Sequence, residues 1–297
     1  PAPQVQFSGS YNGSFGYSID LKVPGFRGLE PNLQLDYSSS LVTSYSAEDV
    51  LGAGWRLQGL SSIVRANARR GAPTFGETDI YLLDGRELVP CPDTTQAGCS
   101  AGGTHAVWQE NFTRIRRDAG LNTWEVRSKD GTRYVYYPAG VFSTSGPTGD
   151  VDVRLAGEFR YLLAKKIDTS GNQVEYKYSC DDFVSCRVTS IDYGASQVVF
   201  HWQGRPDEVT FGAAYKLGRL SQRIGAIEVR SAGSLVRAYD LGYTQSVTTN
   251  RSMLTSVREY GRDAVITAGK VTAGTALPPY TFQYSGEAPG VKTHADG

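Results

Sequence analysis

The stretch LGAGWRLQGLSSIVR, from Leu51 to Arg65, decides between a nucleotide-binding fold and a β-sheet fold. A dinucleotide-binding loop needs the glycines of Gly-x-Gly-x-x-Gly between a strand and a helix. Gly52 and Gly54 supply the first two glycines, but Leu57 stands at the third position and no helical periodicity follows. A Walker loop is excluded because Gly-Lys-Ser/Thr is missing. We therefore interpret the stretch as a structural corner, where glycine allows a sharp turn or the close approach of another strand.

Apolar and polar residues alternate on both sides of this corner, as in half-buried strands. The run at 123–137 reads as a hairpin with Asp-Gly at its turn, and a second hairpin turns at 231–234. Strand-like runs recur every ~8–12 residues with turn residues between them, which is typical of all-β proteins. The fold class predicted is all-β, with multi-stranded antiparallel sheets joined by hairpins, as part of a β-shell or sandwich-like module. Residues 212–224 are predicted to form one turn or a short helix.

Composition limits the classes of partner. The 297 residues are 40% hydrophobic, and 30 Lys and Arg residues balance 30 Asp and Glu residues. A neutral chain has no overall field that would attract nucleic acid or an acidic membrane surface. No apolar run reaches the ~20 residues that a membrane-spanning helix needs. The first ten residues lack the basic-then-apolar pattern of a signal peptide, and we expect them to be a trimmed boundary.

The four cysteines form two pairs that are close in sequence, Cys91 with Cys99 and Cys180 with Cys186. Neither spacing fits a zinc knuckle. Two short disulfide-closed loops fit better and indicate an oxidising compartment, although free thiols in a cytosolic protein stay open at this point.

No catalytic or metal-binding set emerges from the residue pattern. The chain has three histidines that are far apart, and it has no Gly-x-Ser-x-Gly elbow. The paired carboxylates are expected to lie in solvated loops, and they are Asp150 with Asp152 and Asp181 with Asp182. His201 stands between two aromatic residues in a strand and is interpreted as structural. The sequence therefore predicts no catalytic residue, no cofactor and no metal.

Several motifs in order resemble SpvB-type proteins, the B component of Tc toxin complexes and the YD/Rhs repeats. A PNL-x-L-x-Y-S-S strand at 31–39 precedes the Gly-x-Gly-Trp corner, and an Asp-x-x-Gly-Asn turn and an Arg-Pro-Asp unit follow. The similarity covers about residues 14–285. The motif residues are Gly52, Gly54, Trp55, Gly59, Arg65, Asp168, Gly171, Asn172, Tyr176, Arg205, Pro206 and Asp207.

The resemblance implies one SpvB/TcB-like N-terminal module over residues 1–297, with a junction near 143–150 and a YD/Rhs-like half at 151–297. It implies a secreted structural or delivery module that helps to form a β-shell around a C-terminal effector. Its partners would be the remainder of the toxin shell and a translocation component. SpvB's ADP-ribosyltransferase needs a Glu-x-Glu pair, and none occurs here. The alternative is a secreted β-sandwich module that binds glycan or a host surface through exposed aromatic side chains.

Overall fold

The computed structural model describes residues 13–42, 50–93, 95–109, 111–180 and 182–284, and these residues fold mainly into antiparallel strands. The strands are β1 (Gly16–Leu21), β2 (Leu33–Ser38), β3 (Trp55–Gln58), β4 (Ser62–Ala66), β5 (Ile80–Leu83), β6 (Arg86–Pro90), β7 (His105–Val107), β8 (Arg114–Asp118), β9 (Thr123–Arg127), β10 (Arg133–Pro138), β11 (Arg160–Ile167), β12 (Gln173–Ser179), β13 (Arg187–Tyr193), β14 (Ser196–Ala213), β15 (Lys216–Ser231), β16 (Ser234–Gln245), β17 (Ser252–Tyr260), β18 (Val265–Thr267), β19 (Lys270–Ala273) and β20 (Tyr280–Thr281). The helical segments are short, namely α1 (Ala97–Ser100), α2 (Asp150–Arg154), a π-helical turn (Leu155–Phe159) and two 3-10 turns (Ser39–Leu41 and Ala139–Phe142). The prediction of an all-β fold is confirmed.

Fifteen of these strands form one sheet, and its first half closes into a ring. The sheet order is β10-β9-β8-β7-β6-β5-β4-β11-β12-β13-β14-β15-β16-β17-β20, and β10 also pairs with β11. Strands β4 to β11 therefore form a closed ring of eight strands. Because β10 and β11 pair with each other, the ring has no free sheet edge where it closes.

Strand β11 joins the ring to the rest of the sheet. One of its edges pairs with β10 over residues 161–167. Its opposite edge is shared, because residues 160–162 pair with β4 and residues 165–167 pair with β12. The sheet thus branches within β11. The first part of this edge closes the ring against β4, and the second part continues the sheet as a meander from β12 to β17.

Aromatic side chains fill the interior of the ring. Tyr81 on β5 lies 4.8 Å from Trp124 on β9, and Trp124 lies 6.2 Å from Tyr161 on β11, measured between ring centroids. Since β5 and β9 are not neighbours in the sheet, this contact crosses the interior. All three side chains are buried, so the ring encloses a packed core.

A separate sheet of β1, β2 and β3 packs against the meander. Its inward residues Ile19, Leu35 and Trp55 belong to the same hydrophobic cluster as residues of the ring and of β12–β17. Trp55 and Ile63 are buried, whereas Leu57 and Leu60 are half-buried. A shared core explains why the corner at 51–65 holds two sheets together.

Strands β14 and β15 form an unusually long hairpin of 18 and 16 residues. Their pairing is interrupted between Gly204 and Val209, and the hairpin tip at 213–216 packs on the π-helical turn and on Phe183. The prediction of one turn or a short helix at 212–224 is wrong as to a helix, because these residues form the end of β14, the hairpin turn and the first half of β15. Ala214 and Tyr215 close the turn with positive φ values. The sequence pattern that suggested a helix gives no indication of them.

Other local predictions hold. Strands β9 and β10 flank the Asp130-Gly131 turn, and β15 and β16 flank the turn at Ala232-Gly233. Residues 139–159 connect β10 to β11, which pair with each other, so the expected junction near 143–150 falls within the connection between two strands of the ring. Within the described residues, no helix combines the length and apolar character that a membrane crossing requires.

Candidate functional site

The glycine corner is a tight turn against β17. Gly52 and Gly54 have φ of +87° and +79°, and β3 follows directly. The Ala53 amide donates a 2.9 Å hydrogen bond to the Ser252 carbonyl oxygen. A Cβ on Gly52 would lie 2.5 Å from that same oxygen. The close approach therefore requires glycine, as the structural interpretation of the corner proposed.

The Arg-Pro-Asp unit lies on the other side of Ser252. The Arg205 side chain is 0% exposed, and its Nη2 lies 2.9 Å from Oδ2 of Asp207. Asp207 also accepts the Ser252 amide at 2.6 Å and the Ser252 hydroxyl. Burial would raise the pKa of Asp207, but hydrogen bonds from Arg205 and Ser252 outweigh it and lower that pKa to about 2. Pro206 lies in the interruption of β14 between Gly204 and Val209.

Ser252 is the residue that joins these two motifs, although they are some 150 positions apart in the chain. Its amide and hydroxyl bind Asp207, and its carbonyl binds the glycine turn. Arg223 on β15 adds a 2.6 Å hydrogen bond to its hydroxyl and stacks over the Tyr243 ring at 4.1 Å. We call Gly52, Arg205, Asp207, Arg223 and Ser252 the corner network. Sequence reasoning assigned no role to Ser252 or Arg223, because their contacts join segments that are far apart in the chain.

Arg65 does not join the corner network. Its guanidinium lies 2.9 Å from Asp79 and 2.6 Å from Glu158, and it donates to the Gly76 carbonyl oxygen. These contacts tie β4 to the loop before β5 and to the π-helical turn. Arg65 therefore anchors one end of the ring.

The Asp-x-x-Gly-Asn motif forms the turn between β11 and β12. Asp168 accepts the amides of Ser170 and Asn172 at 2.9 and 2.8 Å and the Asn172 side chain at 2.7 Å. The Asn172 side chain thereby lowers the pKa of Asp168. Gly171 has φ of +83°, and Tyr176 is buried on β12. This turn sets the register of β12 where the sheet branches.

Two remaining motif residues have local roles. Gly59 has φ of +98°, and the Asn32 carbonyl oxygen occupies the space where its Cβ would be. Trp55 donates from Nε1 to the Tyr284 hydroxyl at 2.9 Å. The motif residues thus lie in several separate places and do not converge on one pocket.

Both cysteine pairs form disulfides, Cys91–Cys99 and Cys180–Cys186. The first closes the loop between β6 and β7, and the second closes the loop between β12 and β13. The prediction of two short disulfide loops is confirmed, and neither bond lies in the corner network.

The groups considered for acid–base chemistry are engaged in structural contacts. His201 lies 2.9 Å from Glu228. Asp182 accepts the Val184 amide, while Asp181 and His294 lie outside the described residues. The expectation of a solvated loop at Asp152 is wrong, because Asp152 lies within α2 and pairs with Lys216 of the hairpin tip at 2.8 Å. The described residues contain no group of three side chains suited to a metal ion.

An aromatic groove lies where the β1–β3 sheet meets β16, β17 and β20. It has a volume of about 1550 Å³. Trp55 is among its lining residues and packs at a tilt against Phe282 and Tyr37, with ring centroids 4.8 and 5.4 Å away. The hydroxyl and amide side chains among residues 244–249 also line the groove, together with Val247 and the charged Arg251. Aromatic faces beside such polar groups suit a sugar or an extended peptide.

Comparison with known families places these features in context. The model of the SpvB family, described as Salmonella virulence plasmid 65kDa B protein, matches residues 9–216, which is more than half of the chain. The chain belongs to the SpvB family. No significant match was found among curated proteins.

Solved structures show the same fold for this SpvB-family chain. It matches a Photorhabdus luminescens Tc holotoxin pore structure with TM-score 0.70, at 19% identity and over 92% of this chain. It matches the TcdB2-TccC3 crystal structure with TM-score 0.66, at 17% identity and over 92% of this chain. In both cases it spans 16% of the matched chain. It also matches the N-terminal domain of effector protein SpvB from Salmonella typhimurium strain LT2 with TM-score 0.63 and 16% identity, over 82% of this chain and 98% of that one.

Proposed function

We propose that this chain is a non-catalytic structural module of a YD/Rhs-type toxin and contributes to a β-shell that encapsulates or presents a C-terminal effector. The observation that carries the proposal is the end of the fifteen-stranded sheet. Strand β20 pairs with β17 on one side, and within the described residues nothing pairs with its other side. An open edge is a template for a further strand.

The direction of the backbone groups at this edge supports the proposal. Phe282 donates its amide to the Thr255 carbonyl oxygen of β17. Because amides alternate between the two sides of an extended strand, the amide of Gln283 points away from β17. The free edge is therefore able to accept a strand from the remainder of the shell, in the same chain or in a partner subunit.

The disulfides support a secreted setting for this module. Both bonds close short loops on separate parts of the sheet, and such bonds persist in oxidising compartments. We propose the remainder of the toxin shell and a translocation component as the partners of this module.

The first test is the size of the native product. An antibody against this fragment, applied to source cells and their medium, should detect a product far larger than 32.2 kDa. A product near 32.2 kDa would contradict the shell proposal and favour a stand-alone secreted protein.

The second test addresses the edge within the full-length protein. Gln283→Pro removes the outward amide, whereas Gln283→Ala keeps it. We expect the proline variant to expose the region after residue 297 to protease, while the alanine variant stays protected. Equal protection of both variants would contradict pairing at this edge.

The aromatic groove supports glycan binding as a second candidate function. Phe15, Tyr37 and Phe282, which are exposed or half-buried, offer aromatic surfaces beside hydroxyl and amide groups. A glycan array followed by titration of any binder, with intrinsic tryptophan fluorescence as readout, tests this function. An array without binders would remove it.

A further inference from the structure

The ring of strands β4–β11 is closed most weakly between β7 and β8. These two strands are matched at a single position, His105 with Ile115, whereas β8 and β9 are matched at five. We call this contact the β7–β8 seam. The Thr104 amide adds a 2.8 Å hydrogen bond to the Ile115 carbonyl oxygen. Local opening costs least free energy where the fewest strand-pairing contacts must be broken, so the ring should open first at the seam.

The Thr104 hydroxyl extends the seam by one position. The Arg117 amide donates to Thr104 Oγ1 at 2.8 Å, and the same oxygen lies 2.9 Å from Nδ1 of His105. The Thr104 hydroxyl oxygen therefore contacts both the Arg117 amide of β8 and the His105 imidazole next to it, which brings the side chain of His105 to the one matched position of the seam.

The surroundings of His105 hold it in the neutral form. Its ring lies 4.8 Å from Trp124 and 6.2 Å from Tyr81, inside the ring of strands. The Arg117 guanidinium stacks 5.0 Å from the Tyr81 ring centroid. Burial, and next the charge of Arg117, lower the pKa of His105 to about 4.

The other titratable groups at this position do not offset that charge. Burial raises the pKa of Tyr81 on β5, and it raises the pKa of Tyr161 on β11 to about 12, so both phenols stay neutral. Pro90, which is paired with His105 on β6, carries no charge. Within the described residues, Arg117 is thus the charged group that acts on this imidazole.

We propose that His105 is an acid-sensitive latch, and that protonation of its imidazole opens the β7–β8 seam. The new imidazolium meets the Arg117 charge while its ring is packed against Trp124 and Tyr81 and is only partly hydrated. Charge repulsion and incomplete hydration together favour a locally open state in which the imidazole reaches water.

The pH window follows from the two states. The pKa of His105 is lower in the closed state than its ordinary value of 6.5. The closed seam is therefore fully stable above about pH 6.5 and loses stability as the pH falls towards 4. Opening stays local, because β11 keeps its pairing with β10 and β12 without the seam. The Cys91–Cys99 bond keeps the adjacent loop closed.

Hydrogen exchange measured by mass spectrometry tests the latch. After correction for intrinsic exchange, lowering the pH from 7.0 to 5.5 should increase the opening constant of residues 104–118 about tenfold. Residues 226–240 of the meander should not change. His105→Gln should remove the pH effect at the seam, whereas His201→Gln, at a histidine paired with Glu228, should leave it intact. Unchanged exchange at 104–118 in the wild type would overturn the proposal.

A titration of the wild-type protein by NMR decides the matter if His105→Gln does not fold. The chain has three histidines, so the Cε1 protons are readily resolved and assigned. A His105 signal that titrates below pH 5 supports the latch. A signal that titrates near pH 6.5 without any change in exchange at the seam would overturn it.

Discussion

Replacement of Asp207 by asparagine tests whether the corner network holds the two sheets together. The change keeps the shape of the side chain but removes the charge that neutralises Arg205, whose side chain is fully buried. It also weakens the hydrogen bonds to the Ser252 amide and hydroxyl. Breaking one partner of a buried ion pair costs about 3–5 kcal/mol of unfolding free energy.

The expected size of the effect is large enough to measure in two ways. Taking an unfolding entropy of about 2.1 cal/mol/K per residue, a loss of 3–5 kcal/mol lowers the Tm of this chain by roughly 5–8 °C. Urea unfolding followed by tryptophan fluorescence should show the same loss as a lower midpoint with an unchanged m-value.

The neighbouring residue provides the matched control. Glu208 is exposed and lies 3.6 Å from Arg219 at the surface. Glu208→Gln removes the same charge and should cost no more than about 0.5 kcal/mol. A surface ion pair contributes up to about 1 kcal/mol to stability. If Asp207→Asn lowers the unfolding free energy by less than that, the corner network does not hold the two sheets together. A loss that also appears in Glu208→Gln would point to net charge instead.

Three further predictions follow from separate contacts. Gly52→Ala should destabilise the chain by about 1–3 kcal/mol, because its Cβ would meet the Ser252 carbonyl oxygen at positive φ; an unchanged Tm would contradict this close approach. Lys216→Gln should speed hydrogen exchange at 209–220 and change the Tm by less than about 2 °C, because a partly exposed pair contributes at most about 1 kcal/mol; equal exchange in both proteins would show that Asp152 does not anchor the tip. Alkylation should modify four thiols only after reduction, as seen by intact mass, since both cysteine pairs are bonded; full labelling without reduction would refute the disulfides and weaken the secreted setting.

The hairpins were predictable because their signals are local. Asp130-Gly131 and Ala232-Gly233 turn where the sequence indicates, and alternation marks the strands around them. The cysteine spacing likewise predicted both disulfides. The tip at 213–216 was missed because Ala214 and Tyr215 adopt positive φ without a glycine or asparagine to announce it. The tip is instead stabilised by Lys216 with Asp152 and by buried neighbours from other elements.

The amino-acid sequence by itself determined the strands, the turns and the need for glycine at the corner. It also determined which residues belong to the motifs that carry the family resemblance. Turn residues and two-residue alternation act over a few positions, and a single sequence shows them directly. The tertiary structure alone decided that β10, β11 and β4 close a ring, that Ser252 joins Gly52 to Asp207, and that His105 lies at the seam. Those contacts depend on packing and register between strands far apart in the chain, and alternation specifies which face is buried without specifying which strand lies beside it.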